Sequence, residues 1–358
     1  MYGKPATRKF FTEQLLQWHR NDNDRTLPWK EEKDPYKIWL SEIILQQTRA
    51  AQGLPYFLRF VKAFPDIHAL AAACDEEVFR LWQGLGYYSR CKNLLHTARF
   101  IVEKYQGEFP SRYEEILALK GVGNYTAAAI ASFAFGQPYA VVDGNVIRVL
   151  ARFFGIETAW DVPEGRKTFT ALAEELLDKK EPAAYNQAIM DHGATVCTPQ
   201  APRCDSCPLQ SKCFAFRHNL ISELPQKAKK LVVKTRNFHY ILLLTKDDRI
   251  WIRKRTEKDI WQNLFEPLLI EHNTALNVDS LRTQLPQTLS FAAENLRYEG
   301  SLRQRLTHQL IETNFFSLPL LSAPREILGG GQWVPLKDLK NFAFPKTLVS
   351  FLEKKFYF

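Results

Sequence analysis

Four of the six cysteines crowd into one short segment: Cys197, Cys204, Cys207 and Cys213, with six, two and five residues between them. Four thiolates from a single loop can ligate either a structural zinc ion or a [4Fe–4S] cube. Zinc loops usually pair two Cys-x-x-Cys knuckles, and here only Cys204 and Cys207 make one, so ligand type and spacing favour the cube. A disulfide set would need an oxidising compartment, which nothing in the sequence indicates. Cys74 and Cys91 fall in helical stretches and read as ordinary core residues.

Two carboxylates could do acid–base work. On a helical wheel Glu42 points between Ile38, Trp39 and Leu45, so its carboxylate projects from an apolar face and its pKa should rise. That environment makes it a candidate general acid, whereas a helical Glu on a polar face is only a solvated charge. Asp143 ends the apolar run Tyr139-Ala140-Val141-Val142 and precedes a helix, which by itself fits a helix cap; capping and catalysis are compatible. Between the two carboxylates lies Leu119-Lys120-Gly121-Val122-Gly123, joining one helix to an Ala-rich helix that begins near Asn124. Its glycines let a backbone approach a ligand, and the helix start offers N–H groups to a phosphate; the same pattern also serves as a tight helix–helix turn.

The elements that must position these residues change character along the chain. Up to about residue 216 apolar residues recur at helical spacing, with Asp34-Pro35 as cap and first residue of one helix. Ser111 with Glu114 predicts a capping box for another, running through Ile116 and Leu117 to Gly121. Later, Phe238–Leu244 and Arg249–Arg253 read as a strand hairpin around Lys246-Asp247-Asp248, and Leu264–Ile270 as a further strand. The predicted class is multidomain α and α+β: a helical domain over 1–216 with the cysteine loop at 197–213, a basic linker over 217–236, and an α+β domain over 237–358.

Composition is that of an ordinary globular protein, 46% hydrophobic and 24% charged, and no apolar run approaches membrane-spanning length. The net charge of +9 comes mostly from the second half. Arg217, Lys227, Lys229, Lys230, Lys234 and Arg236 face only Glu223 within the linker, which reads as a solvated segment able to touch phosphates. Met1 to Arg20 holds no apolar signal core, so an intracellular protein is expected, cytoplasmic and nucleoid-associated if bacterial.

The cysteine spacing resembles the cluster loop of the endonuclease III and MutY superfamily of DNA glycosylases. Leu119 to Gly123 resembles the family's helix-hairpin-helix motif, with Lys120 where proline is common, and Ser41-Glu42-Ile43-Ile44-Leu45-Gln46-Gln47-Thr48 closely matches the MutY signature. The resemblance implies an all-helical helix-hairpin-helix glycosylase domain with a structural [4Fe–4S] cluster, followed by a Nudix-like domain. It implies a monofunctional enzyme that flips adenine mispaired with 8-oxoguanine or guanine out of double-stranded DNA and removes it, leaving an abasic site. Glu42 would protonate a Hoogsteen-edge nitrogen, because neutral adenine is a poor leaving group, and Asp143 would stabilise or trap the oxocarbenium-like sugar. Tyr125 and Asn145 would orient the pair. Relatives that also cut the strand carry a Schiff-base lysine where this chain has Tyr125.

The same resemblance assigns DNA contacts to Gln47, Thr48, Leu85, Gly86 and Tyr87, which would wedge beside the lesion, and to Gly121, Val122 and Gly123 at the hairpin. Trp29, Lys30 and Gln187 resemble adenine-pocket residues, Lys30 replacing an arginine. Arg203 and Lys212 would meet the DNA backbone from the cluster loop. Residues 237–358 resemble the Nudix-like domain appended to MutY enzymes: Ile260 to Pro267 is similar to the opening of a Nudix box, but its metal-binding carboxylate helix does not follow. A recognition module, not a hydrolase, is therefore expected, with Thr307 and His308 of Leu306-Thr307-His308 falling where the family senses 8-oxoguanine. A monomer without a membrane partner is expected. Two rivals are an endonuclease III-like glycosylase/lyase for oxidised pyrimidines, disfavoured by Tyr125 and Gln46-Gln47, and an iron–sulfur nucleotide pyrophosphohydrolase, disfavoured by the missing carboxylates.

Overall fold

Apolar spacing of three and four residues does produce helices throughout the first part of the chain: α1 (Pro5–Asn21), α2 (Pro35–Leu45), α3 (Ala50–Ala63), α4 (Ile67–Ala72), α5 (Asp75–Trp82), α6 (Tyr88–Tyr105), α7 (Tyr113–Leu117), α8 (Asn124–Phe135), α9 (Gly144–Phe154), α10 (Pro163–Leu176), α11 (Pro182–Thr195) and α12 (Phe214–Arg217). The structure is a computed structural model and describes residues 2–228, 233–324, 327 and 330–356. It falls into two compact units, residues 1–72 with 93–230, and residues 73–92 with 231–358. No helix among the described residues is long and apolar enough to cross a membrane.

In the first unit α1, α9, α10 and α11 bury Phe11, Leu15, Val149, Leu150, Phe153, Phe169 and Ile189 in one core. α9 and α11 approach closely at Gly193, where a Cβ would stand 2.7 Å from that of Asn145. The described part of the expected linker, residues 217–228, is mostly exposed but is anchored at Leu224. Leu224 is buried in this core and its carbonyl accepts a 3.1 Å hydrogen bond from Arg152 Nε. Lys229 and Lys230 of that linker lie outside the described residues.

Three local expectations need correction. α7 begins at Tyr113 with Arg112 as its cap and no side-chain capping bond, so Ser111 and Glu114 form no capping box; the helix starts one residue too late for that register. Cys74 is exposed at the start of α5, while Cys91 is buried as expected. The strand expected over 264–270 divides into β3 (Phe265–Glu266) and β4 (Leu268–His272) at Pro267, which has no N–H for a ladder.

The second unit is built on a seven-stranded sheet, adding β1 (Lys234–Thr245), β2 (Arg249–Lys254), β5 (Arg297–Arg305), β6 (Gln309–Leu320) and β7 (Gly331–Pro335). The strand order is β3-β2-β1-β6-β5, with β4 also pairing β1 and β7 pairing β2. β1 and β6 run parallel from Lys234 opposite Gln309 to Thr245 opposite Leu320. β1 starts exposed and polar at Lys234 and Thr235 and is buried from Asn237 to Leu243, where both faces are covered and Tyr240 to Leu244 form a continuous apolar run. Ile241, Leu243, Trp251, Phe316 and Leu318 pack together on one side. After the short α13 (Val278–Arg282), the last described element is α14 (Lys346–Phe356), whose Phe351 ring stacks on Phe315 at 3.8 Å.

Candidate active site

Asp34 opens α2 by accepting the Tyr36 N–H at 2.9 Å, and Pro35 supplies the first turn. The helix is buried from Tyr36 to Ile44 apart from Lys37, and Glu42, 7% exposed, lies among its apolar neighbours. Burial pushes its carboxyl up to about 7; nearby Asp143 adds to the rise, and a hydrogen bond with the Tyr125 hydroxyl opposes it. Tyr125 stands in the first turn of α8, its hydroxyl also 3.5 Å from Met190 Sδ on α11. Burial holds the phenol proton firmly in place.

Asp143 is the extended N-cap of α9. Its Oδ1 accepts the Val146 N–H and its Oδ2 the Asn145 side-chain N–H, both at 2.8 Å. Burial raises its pKa, and these bonds together with the Arg148 charge hold the rise down. Two carboxylates thus lie near each other, with Tyr125 hydrogen-bonded to one and Asn145 to the other. Burial and mutual repulsion favour a proton on Glu42, whereas the donors around Asp143 favour its charge; this division suits an acid and an anion.

Around Glu42 the C-terminal end of α2 leads to the hairpin. Gln46 Nε2 donates to the Gly121 carbonyl and to Thr126 Oγ1, each at 3.3 Å. Gly121 has φ of 84° and packs against Asn93, so this position requires glycine, while Gly123 has open space around it at the start of α8. Val122 is half-buried between them. Gln47 is exposed with a left-handed φ of 55°, and Thr48 is half-buried beside it.

Of the expected pocket residues, Trp29 meets Phe57 edge-on at 5.3 Å, and Gln187 is half-buried on α11. Lys30 Nζ pairs with Asp191 Oδ2 at 2.8 Å and donates to the Arg25 carbonyl at 2.6 Å. Asp191 is wholly buried and also binds Arg25 Nη1 at 2.7 Å and Asn23 Nδ2 at 2.9 Å. Burial alone would raise its pKa, but the donors from Lys30, Asn23 and Arg25 bring it below the ordinary carboxylate value. Spacings of three and four residues put Gln187, Met190 and Asp191 on one face of α11.

Sequence reasoning missed Asp191 and two arginines of α9. Arg148 Nη2 donates to Asn145 Oδ1 at 2.8 Å and to the Gly193 carbonyl at 2.7 Å, while its Nε donates to the Cys197 carbonyl at 2.7 Å. One turn on, Arg152 reaches Cys197 Sγ at 3.5 Å and the Thr198 and Pro199 carbonyls at 2.7 and 3.1 Å. Their signal was weak: two arginines four apart in a helix whose apolar face is otherwise strong.

The four loop cysteines are free and half-buried. Among the described residues no group of three or more His, Cys, Asp or Glu side chains has the geometry of a metal site. The donor set nonetheless fits a cluster. The Leu209 N–H bonds to Cys207, and those of Ala215 and Phe216 to Cys213, as thiolate ligands require. Burial, with the other loop thiols adding to it, pushes Cys207 up to about 12 and raises Cys204 and Cys213, so ionised ligands here need a positive centre among them. Arg203 and Lys212 both have intramolecular partners: Arg203 Nη2 donates to the Thr195 carbonyl at 2.6 Å, and the Lys212 ammonium sits 4.2 Å above the Phe10 ring.

In the second unit Leu85 is buried, whereas Tyr87 is 44% exposed. Gly86 and Tyr87 both have positive φ, 83° and 49°. Thr307 and His308 are exposed at the turn between β5 and β6, and the Thr307 hydroxyl is hydrogen-bonded to that of Tyr87. Glu266, from the Nudix-like stretch, is wholly buried and paired with Arg255 Nη1 at 2.6 Å and Arg253 Nη2 at 2.9 Å, and accepts from the Tyr240 hydroxyl at 3.1 Å. Its lone pairs are thus engaged within the fold.

Comparison with known proteins defines the class. Residues 40–177 match the HhH-GPD superfamily of base excision DNA repair proteins, and residues 239–354 match a NUDIX domain. The solved structure of a thermostable thymine-DNA glycosylase is 30% identical with a TM-score of 0.55, covering 60% of this chain and 98% of that one. An endonuclease III–DNA complex, at 23% identity and a TM-score of 0.53 over 61% of this chain and 99% of that one, shares the fold.

The adenine DNA glycosylase of Buchnera aphidicola subsp. Acyrthosiphon pisum is 34% identical over 97% of this chain and 98% of its own length. That of Homo sapiens is 43% identical over 57% of this chain and 39% of its own length. The chain belongs to the adenine DNA glycosylase family and is a base excision repair enzyme.

Proposed function

We propose that this enzyme removes adenine opposite 8-oxoguanine or guanine in double-stranded DNA and leaves an uncut abasic site. The observation that carries this reading is the buried Glu42 carboxyl beside Tyr125 and Asp143, where burial pushes its pKa up to about 7. Glu42 donates its proton to the departing adenine, and Asp143 stabilises the positive charge that grows on the sugar. Tyr125 holds Glu42 in place, and Asn145 holds Asp143. Gly121, Val122 and Gly123 meet a phosphate, Gln47, Thr48, Gly86 and Tyr87 support the opened duplex, and Trp29, Lys30 and Gln187 surround the flipped base.

Cys197, Cys204, Cys207 and Cys213 would hold a [4Fe–4S] cluster, which supplies structural clamping of the loop and no step of base excision. Residues 237–358 act as a recognition module, and the enzyme works as a monomer inside the cell. The test is incubation with duplexes containing adenine opposite 8-oxoguanine, adenine opposite guanine, or thymine glycol, followed by alkali. Adenine loss with strand breaks only after alkali is the expected result. Prompt cleavage of the thymine glycol strand with borohydride trapping would overturn the reading.

A further inference from the structure

The hydroxyl groups of Tyr87 and Thr307 meet although the two residues lie far apart in sequence, and both belong to the second compact unit. Each is presented by braced backbone. On the Tyr87 side the Gly86 carbonyl accepts from Trp82 Nε1 at 3.0 Å and from Arg90 Nη2 at 3.2 Å, and the Gly84 N–H donates to the Tyr88 hydroxyl at 3.1 Å. The Arg90 guanidinium also lies 5.5 Å from the Tyr87 ring centre. On the Thr307 side the turn is closed by Leu306 N–H to the Gln309 carbonyl at 2.7 Å, and the His308 carbonyl accepts from Lys234 N–H at 3.0 Å. The segment 73–92 is itself anchored within the unit, by the 2.8 Å Glu76–Lys254 pair and by Phe344 N–H donating to Gln83 Oε1 at 3.1 Å.

We propose that Tyr87 is a positioning residue for Thr307, and that the two form one reading element for the base opposite adenine. This inference rests on the proposed role of Thr307 in sensing 8-oxoguanine. A phenol is a stronger acid than an aliphatic alcohol, so the Tyr87 hydroxyl donates and the Thr307 oxygen accepts. Thr307 then keeps its own proton for a further acceptor, and the accepted bond restricts the rotation of its hydroxyl. 8-Oxoguanine offers a carbonyl oxygen at C8 where guanine has only C–H, so an oriented hydroxyl proton distinguishes the two. A freely rotating hydroxyl discriminates less, because orientation must then be supplied at the moment of binding.

Single-turnover excision by the full-length protein, on duplexes with adenine opposite 8-oxoguanine and adenine opposite guanine at one salt concentration, tests this. Thr307→Val and Tyr87→Phe should each reduce the rate ratio between the two substrates by about fivefold, the worth of one hydrogen bond. Their double variant should fall no further than the worse single, and Thr307→Ser should keep the ratio. Full preference in Tyr87→Phe with loss in Thr307→Val would overturn the positioning role while leaving the sensor in place. Full preference in Thr307→Val would overturn the sensor and the inference with it. Additive losses would mean that the two hydroxyls act separately, which also overturns it.

Discussion

Asn145 Nδ2 donates to Asp143 Oδ2 at 2.8 Å, on the side of the carboxylate away from the oxygen that caps α9. The cap and the Asn145 side chain therefore use different oxygens of one residue. Asp143→Asn should keep the cap through its one acceptor oxygen but lose the bond from Asn145, so stability should fall by about 1–2 kcal/mol. Excision should fall on the order of 100-fold or more, because the cationic sugar loses its countercharge. Urea unfolding and single-turnover rates on the same preparation check both halves, and a near-normal rate would remove Asp143 from the chemistry.

The raised Glu42 pKa makes a prediction about pH. Glu42 is protonated below about 7, so the excision rate should decline as pH rises through about 7. The folded state binds this proton more tightly than the unfolded chain does. Stability is therefore lost as pH rises from the ordinary value of 4.5 to about 7, and the penalty is complete above that. Glu42→Gln removes it: the variant should be more stable at mildly alkaline pH, on the order of 2–3 kcal/mol, with no such gain at acid pH. It should bind mispaired duplex without excising adenine. A gain in stability that is the same at all pH values would contradict this account.

Asp191 is wholly buried between Lys30 and Arg25, and the two directions of breaking this cluster are unequal. Asp191→Asn leaves two cations facing a neutral amide and should destabilise by on the order of 3 kcal/mol. Lys30→Met should cost less, because Arg25 and Asn23 still satisfy the carboxylate. The double variant should lose less than the sum of the singles. Denaturant unfolding of the three variants measures this, and simple additivity would show that Lys30 and Asp191 do not depend on each other.

Metal content discriminates between the two fates of the cysteine loop. The purified protein should be brown and hold about four irons per chain, and Cys204→Ser should yield little soluble protein. Elemental analysis finding one zinc and no iron would replace the cluster with a zinc site.

Features that depend on near neighbours were legible in the sequence. Helical period alone put Glu42 on an apolar face and so implied its raised pKa; Asp34-Pro35 and Asp143 capped the helices they precede. The Ser111–Glu114 box failed because a one-residue shift in the start of α7 removes its register, and Pro267 interrupted what composition read as one strand. The clustering of the four cysteines was legible, but not the arginines that reach their loop. Arg148 and Arg152 read as helix charges because their partners at Gly193, Cys197, Thr198 and Leu224 lie a long way along the chain. Asp191 likewise had no local sign of the two cations brought to it from the segment before α2. Only the tertiary structure assigned residues 73–92 to the sheet-containing unit and joined Tyr87 to Thr307. Secondary-structure rules act through partners within a turn or across a hairpin, whereas buried ion pairs and hydroxyl contacts are decided by which distant surfaces the packed cores bring together.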